Sequence, residues 1–281
     1  MAQITASMVK ELREMTAAAM MDCKKALTEC DGEMEAAKEL LRKKGQAIAT
    51  KKASRETKEG AIAIYSETDK AGLVKMACET DFVAINDQFK SFIGVLAKHI
   101  SEVGADNFTE KSTDQGTIKE IIIEAVAKLG ENIVFIEGID WKTEGNSVIG
   151  SYVHSNGKIG TLVELTADGD ADKEKLTIVA RDIAMHIAAS NVEAIREEDL
   201  DPQVVEKEKN FLIDQAKESG KPDNIIEKMV EGRIKKYKKE ICLLYQSFVK
   251  NPEQTIEDLL LDSGKTLGAK LDVKRYFKTQ F

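Results

Sequence analysis

The chain has 281 residues, 42% hydrophobic and 32% charged, an ordinary soluble composition with room for two or three small domains. A formal net charge of −8 argues against direct nucleic-acid binding, which needs clustered Lys and Arg on phosphates. No apolar run approaches the roughly 18 residues of a membrane helix, and Met1-Ala2-Gln3-Ile4 lacks a basic segment followed by an apolar one, so a cytoplasmic protein without membrane association is expected.

From the N-terminus, Thr5 or Ser7 is placed to cap a helix carrying Met8, Val9 and Leu12, and a second helix carries Cys23, Ala26 and Leu27. Asp31-Gly32 opens a third, with Met34, Ala37, Leu40 and Leu41 on one face and a stop at Gly45. Three short helices make a bundle too small to be very stable alone but suited to docking. The stretch Lys51-Lys52-Ala53-Ser54-Arg55-Glu56-Thr57-Lys58 lacks apolar periodicity and reads as a solvated linker.

An internal duplication follows. Ile62, Tyr65 and His99 recur 87 residues later as Ile149, Tyr152 and His186, and Lys70 and Gly72 recur 88 later as Lys158 and Gly160. In each copy two apolar runs flank a polar turn, Ala61 to Ile64 with Leu73 to Met76 and Val148 to Val153 with Ile159 to Leu165, predicting hairpins. An amphipathic helix comes next. It is marked by Phe89, Phe92, Ile93, Leu96, Ala97 and Ile100 in the first copy, and by Leu176, Val179, Ala180, Ile183, Ala184, Ile187 and Ala188 in the second.

The strand-to-helix connections differ: Glu79-Thr80-Asp81-Phe82-Val83 in the first copy, Thr166-Ala167-Asp168-Gly169-Asp170 in the second. A scaffold element should occur in both copies, whereas a contact device needs to exist once. Phe82 in a polar loop therefore reads either as an aromatic offered to a partner or as a hydrophobic staple for the helix that follows.

Between the copies, Ile118, Ile121, Ile122, Ala125, Val126 and Leu129 describe a helix ended by Gly130, with strand-like Ile133 to Ile136 after it. After the second copy, Pro202 opens a charged helix with Val204, Val205, Phe211 and Leu212, and Ser219-Gly220-Lys221-Pro222 breaks it. Asp223 caps a return helix with Ile226, Met229, Val230, Ile234 and Tyr237 on its seam, a helical hairpin that either projects as a contact arm or lies flat on the body. The tail holds a short helix, Thr255 to Leu261, and a strand-like run, Leu271 to Phe277, able to complete the second sheet.

Catalytic chemistry finds little support. Ser263-Gly264-Lys265-Thr266 resembles the end of a phosphate-binding loop, but the position needing the first glycine is Leu259. His154 and His186 have no nucleophile at recognisable spacing, so structural roles are expected, with hydrolysis the weaker alternative. Cys23, Cys30, Cys78 and Cys242 are scattered, which suggests neither zinc nor disulfides. No metal or cofactor is implied.

Ile4 to Arg13, Met20 to Leu27, Cys78-Glu79-Thr80-Asp81-Phe82-Val83-Ala84, Gly150-Ser151-Tyr152, Ala184 to Ala189 and Glu227 to Arg233 together resemble the elongation factor Ts family, the guanine-nucleotide exchange factors of elongation factor Tu in bacterial translation. The resemblance covers nearly the whole chain. It implies an α+β fold: a ubiquitin-associated-like three-helix module with the start of a basic linker (1–55), core subdomain N (56–145), core subdomain C (146–190 and 241–281), and an inserted helical hairpin (191–240) that mediates homodimerisation in some members. It implies exchange without covalent chemistry. Thr80, Asp81, Phe82 and Val83 would enter elongation factor Tu and dislodge its magnesium ion, with Phe82 as wedge and Asp81 as the polar contact beside it. A non-catalytic adaptor for a G protein is the alternative. Departures from the family pattern are Ala17 and Ala19 in place of glycines, Ala77 in place of Asn, and Ile85 at a usually polar position. If either glycine position requires positive φ, alanine strains the first interhelical turn. The chain ends at Phe281 without the further C-terminal helix of some members, so a smaller interface is expected.

Overall fold

The computed structural model describes residues 3–16, 18–217 and 222–281. Helices α1 (Ala6–Thr16), α2 (Met20–Glu29) and α3 (Met34–Lys52) bury Val9, Leu12, Cys23, Ala26, Leu27 and Ala37 between them. The Thr5 hydroxyl accepts the Met8 N–H at 3.3 Å and so caps α1. Ala19 has φ −62° and ψ 142°, conformations open to any residue, so alanine introduces no strain there; Ala17 lies outside the described residues.

The first core unit contains β1 (Glu59–Ser66), β2 (Lys70–Cys78), a one-turn helix α4 (Asp81–Ile85) and the long α5 (Asp87–Val103). A small hairpin, β3 (Ser112–Thr113) with β4 (Gly116–Thr117), leads into α6 (Ile118–Leu129), and β5 (Val134–Lys142) closes the unit. The sheet order is β1-β2-β5, antiparallel throughout.

Helix α3 does not stop at Gly45, as the sequence suggests, but continues to Lys52 along α6. Gly45 is buried there, where a Cβ on it would lie 3.6 Å from the Ala127 Cβ, an ordinary contact distance. Packing of the α3 face on α6 outweighs the intrinsic tendency of glycine to end a helix. Arg42 reinforces the contact through Glu120 at 2.8 Å. The expected linker is correspondingly shorter, because Lys51 and Lys52 are helical.

The second core unit repeats the plan with β6 (Ser147–Val153), β7 (Ile159–Ala167) and α7 (Lys173–Ala189). A helical hairpin intervenes, formed by α8 (Pro202–Lys217) and α9 (Asp223–Ile241). The unit then resumes with β8 (Ser247–Phe248), β9 (Asn251–Thr255), α10 (Ile256–Leu267) and β10 (Leu271–Gln280). The order β6-β7-β10 matches that of the first sheet. Helices α6 and α10 both start with a Thr capping box, Thr117 with Glu120 and Thr255 with Asp258, and both end at a left-handed glycine. Because α10 runs on to Leu267, Ser263 to Thr266 are helical and form no phosphate loop.

Strand pairing refines the repeat. Tyr65 faces Gly72 while Tyr152 faces Thr161, so the second strands are related by an offset of 89 rather than 88. Gly72 thus corresponds to Thr161 and not to Gly160. A Cβ on Gly72 would sit 2.2 Å from the Ala97 carbonyl oxygen, so α5 lies directly on β2. At the equivalent place the Thr161 hydroxyl donates to the Ala184 carbonyl at 2.8 Å. Gly160 points the other way, towards Ile62 of the opposite sheet.

The two sheets pack face to face through Ile62, Ala71, Leu73, Trp141, Ile149 and Leu162, while their other faces carry the helices. Glu164 is fully buried at this junction. Its carboxylate accepts from the Thr143 hydroxyl at 2.8 Å, Lys274 at 2.9 Å and Arg275 at 2.6 Å. Neighbouring strand residues normally face opposite ways, but a register shift between Val273 and Arg275 brings both cations to one carboxylate. Arg275 also stacks on Trp141, 4.2 Å from the ring centre.

The hairpin holds its own seam of Leu212, Ala216, Ile226 and Val230, and anchors at its base through Ala194, Leu200, Ile241 and Cys242. Among the described residues, the buried apolar cluster beyond the base is made of α8 and α9 residues, the arrangement of a projecting arm. Phe211, expected among the apolar residues of the helix, is instead 60% exposed, because the seam runs through Leu212 and Ala216. Pro222 occupies the cap position ahead of α9, in place of the expected Asp223. The expected break at 219–221 lies outside the described residues.

Burial pushes the Glu164 carboxyl up, but hydrogen bonds from Lys274, Thr143 and Arg275 outweigh it and hold the group below its ordinary value. Its stabilisation is therefore present above the unfolded-state pKa and is lost as pH falls through the folded-state pKa. Glu164→Gln should cost about 1–3 kcal/mol of unfolding free energy at pH 7. The deficit should shrink below about pH 4, as read by urea denaturation across pH.

Candidate functional site

The segment after β2 is not an irregular loop. Thr80 (φ −126°, ψ 155°) is the N-cap of α4, and its hydroxyl oxygen accepts the Val83 N–H at 3.4 Å. Asn86 then ends α4 and caps α5 by accepting the Gln88 N–H at 2.8 Å. One helical turn is thus held between two capping residues.

The four expected site residues divide into two pairs. Asp81 and Phe82 face solvent, whereas Thr80 and Val83 are half-buried and Val83 packs on the first core unit. The Phe82 ring is 77% exposed, which rules out the staple reading, since a staple would bury the ring against α5. Ile85, one turn further on, is 60% exposed and extends the apolar surface of α4. Ala84 is buried and anchors the opposite side of the turn. In the second unit residues 168–172 form a bend without a helical turn, so the two copies differ here.

Glu131 grips the base of this turn. Its carboxylate accepts the Glu79 N–H at 3.0 Å, the Thr80 N–H at 3.0 Å and the Thr80 hydroxyl at 2.6 Å. Glu79 reciprocates by accepting the Asn132 N–H at 2.7 Å, and Arg55 lies 3.4 Å from its carboxylate. The Asn132 N–H, with help from Arg55, holds the Glu79 carboxyl below its ordinary value. The Asn132 side chain donates to the Arg55 carbonyl at 2.9 Å, tying in the chain that enters β1. Glu131, Asn132 and Arg55 were not identified as site residues from sequence. A Glu after a helix-ending glycine carries no local signal, and only the fold brings it to Thr80.

Beneath the turn, the Cys78 thiol donates to the Thr80 carbonyl at 3.2 Å. Burial, and then the nearby Glu131 charge, push its pKa up to about 11. Elsewhere, His186 is buried, its Nδ1 accepting from the Val249 N–H at 3.3 Å and its Nε2 lying 2.8 Å from the Gln246 side-chain oxygen, which assigns the proton to Nε2. Burial lowers its pKa, so it is a neutral structural imidazole. The exposed His154 pairs with the Tyr152 hydroxyl at 3.2 Å. Neither histidine meets a nucleophile in these contacts.

Because its ring is already largely in water, Phe82→Ala should change the unfolding free energy by less than about 0.5 kcal/mol. Cys78 should alkylate at pH 8 with a thiolate fraction of about one thousandth, becoming reactive only on unfolding, as followed by mass spectrometry.

The profile of the family described as "Elongation factor TS" matches residues 79–280, beginning at the residue that precedes Thr80. Proteins named "Elongation factor Ts" are similar along nearly the whole chain. That of Sinorhizobium medicae is 45% identical over 279 residues, 96% of this chain and 90% of the relative. That of Hydrogenovibrio crunogenus is 49% identical over 270 residues (94% and 88%), and that of Nitratidesulfovibrio vulgaris 43% over 281 residues (99% and 95%). By profile and by full-length identity, the chain belongs to the elongation factor Ts family.

Proposed function

We propose that the chain is a guanine-nucleotide exchange factor that binds GDP-bound elongation factor Tu in the cytoplasm, displaces its magnesium ion and promotes GDP release so that GTP can load. The observation that carries this reading is a large aromatic ring, 77% exposed, on a single capped turn in a chain of this family. Phe82 acts as the wedge, Asp81 as the polar contact beside it, and Thr80 and Val83 hold the turn in place.

A G protein holds its diphosphate through backbone amides and a bound magnesium ion. A partner that binds better to a state with the magnesium displaced shifts the population towards it and loosens the nucleotide. Coupling is reciprocal, so incoming nucleotide weakens the exchange factor by the same factor and ejects it. Catalysis then requires no covalent bond, in keeping with the structural use of His186.

Magnitudes set the share of Phe82. Burying its ring in an apolar slot of the partner is worth about 1.5–3 kcal/mol, or roughly 10- to 100-fold in rate if the contact forms only in the distorted state. Larger accelerations need further contacts, and Ile85, one turn from Phe82, adds apolar area to the same face.

With release of a fluorescent GDP from elongation factor Tu followed at fixed magnesium, the parent should accelerate release and Phe82→Ala should lose about 10- to 100-fold of that acceleration. A complex that forms without accelerating release would favour a non-catalytic adaptor; unchanged acceleration by the variant would refute the wedge.

A further inference from the structure

We propose that Glu131 is a positioning residue for exchange, acting through Phe82 without itself touching the partner; this rests on the wedge reading above. The exposed ring of Phe82 takes its direction from the backbone of α4. That helix has five residues, far below the length at which a helix holds itself in water. Its geometry must be imposed from outside, by the groups packed on either side of it.

On one side the turn rests on buried Ala84 and half-buried Val83. On the other, the Glu131 carboxylate gathers both backbone N–H groups leading into the turn and the hydroxyl of its capping residue, at 3.0, 3.0 and 2.6 Å. A carboxylate accepts such bonds more strongly than a neutral group does. The grip is reciprocal, because the Glu79 carboxylate accepts the N–H of Asn132, next to Glu131. The end of β2 and the segment between α6 and β5 are therefore joined side chain to backbone in both directions. Removing the carboxylate strands two N–H groups, which must turn to water or to new partners, and either response rotates the turn that aims Phe82. A ring misdirected by even a small angle misses a contact that forms only in the distorted partner, so the loss should appear in the maximal release rate rather than in the concentration that half-saturates it.

The test is a double-mutant cycle with Glu131→Ala and Phe82→Ala, measuring GDP release from elongation factor Tu over a range of exchange-factor concentrations, with amide hydrogen exchange of the free chain alongside. Glu131→Ala should lower the maximal rate about tenfold with less than about a threefold change in half-saturating concentration. It should unprotect the Glu79 and Thr80 amides and cost nothing further in the Phe82→Ala background. Glu131→Gln, which keeps one acceptor oxygen and serves should the alanine variant unfold, should recover part of the rate. Losses that add in the double variant, or amides that stay protected with the rate unchanged, overturn the positioning role alone. A silent Phe82→Ala overturns the wedge and the positioning role with it, and a parent that binds without accelerating release overturns the exchange reading itself.

Discussion

An aromatic ring held in water is an unfavourable arrangement, and a free segment would relieve it by folding the ring back onto the nearest apolar surface. Here the backbone on both sides of Phe82 is fixed, so the ring cannot reach that surface. Thr80 and Asn86 cap the two ends of its neighbourhood, Ala84 is buried beneath it, and the Glu131 carboxylate holds the approach from β2. The cost of exposure is carried in the free protein, and under the proposed function its recovery on burial would supply binding energy for distorting a partner.

Holding a turn this firmly requires a rigid support, which the duplicated core supplies. Each unit lays a helix on a three-stranded antiparallel sheet, and the two sheets share one apolar layer sealed by the buried Glu164 and its cations. The copies have diverged at corresponding positions while keeping the frame. Gly72 lets α5 touch β2, where Thr161 ties α7 to β7 by a hydrogen bond. Lys75 lies near the Phe281 ring, 4.8 Å from its centre, at the place where the second unit buries Glu164. Only the first unit bears a helical turn between its second strand and long helix. The frame is used twice and the capped turn with its exposed ring once.

Local pattern made much of this legible. The hairpins, the amphipathic helices and the helical hairpin after the second copy follow from periodicity, and the family from its motifs; asymmetry between the copies singles out Phe82 but leaves open whether the ring is offered or stapled. What escaped was tertiary. Gly45 reads as a helix stop, yet α3 runs past it because its face packs on α6. Gly160 mimics the register of Gly72, and strand pairing shows them facing opposite ways. Thr80 to Val83 read as a polar loop because a one-turn helix is too short to show a period. Glu131 lies some fifty residues away in sequence and has no motif, so nothing short of the fold connects it to Thr80.

The central claim is that the ring at position 82 enters the G protein. The most direct measurement replaces Phe82 with the photoreactive benzoylphenylalanine, irradiates the nucleotide-free complex with elongation factor Tu, and maps the cross-linked peptide by mass spectrometry. Cross-links confined to the nucleotide-binding domain beside the magnesium and phosphate site, and suppressed by excess GDP with magnesium, are the expected result. A complex that forms yet gives no cross-link from position 82, or cross-links far from the nucleotide, would contradict the account.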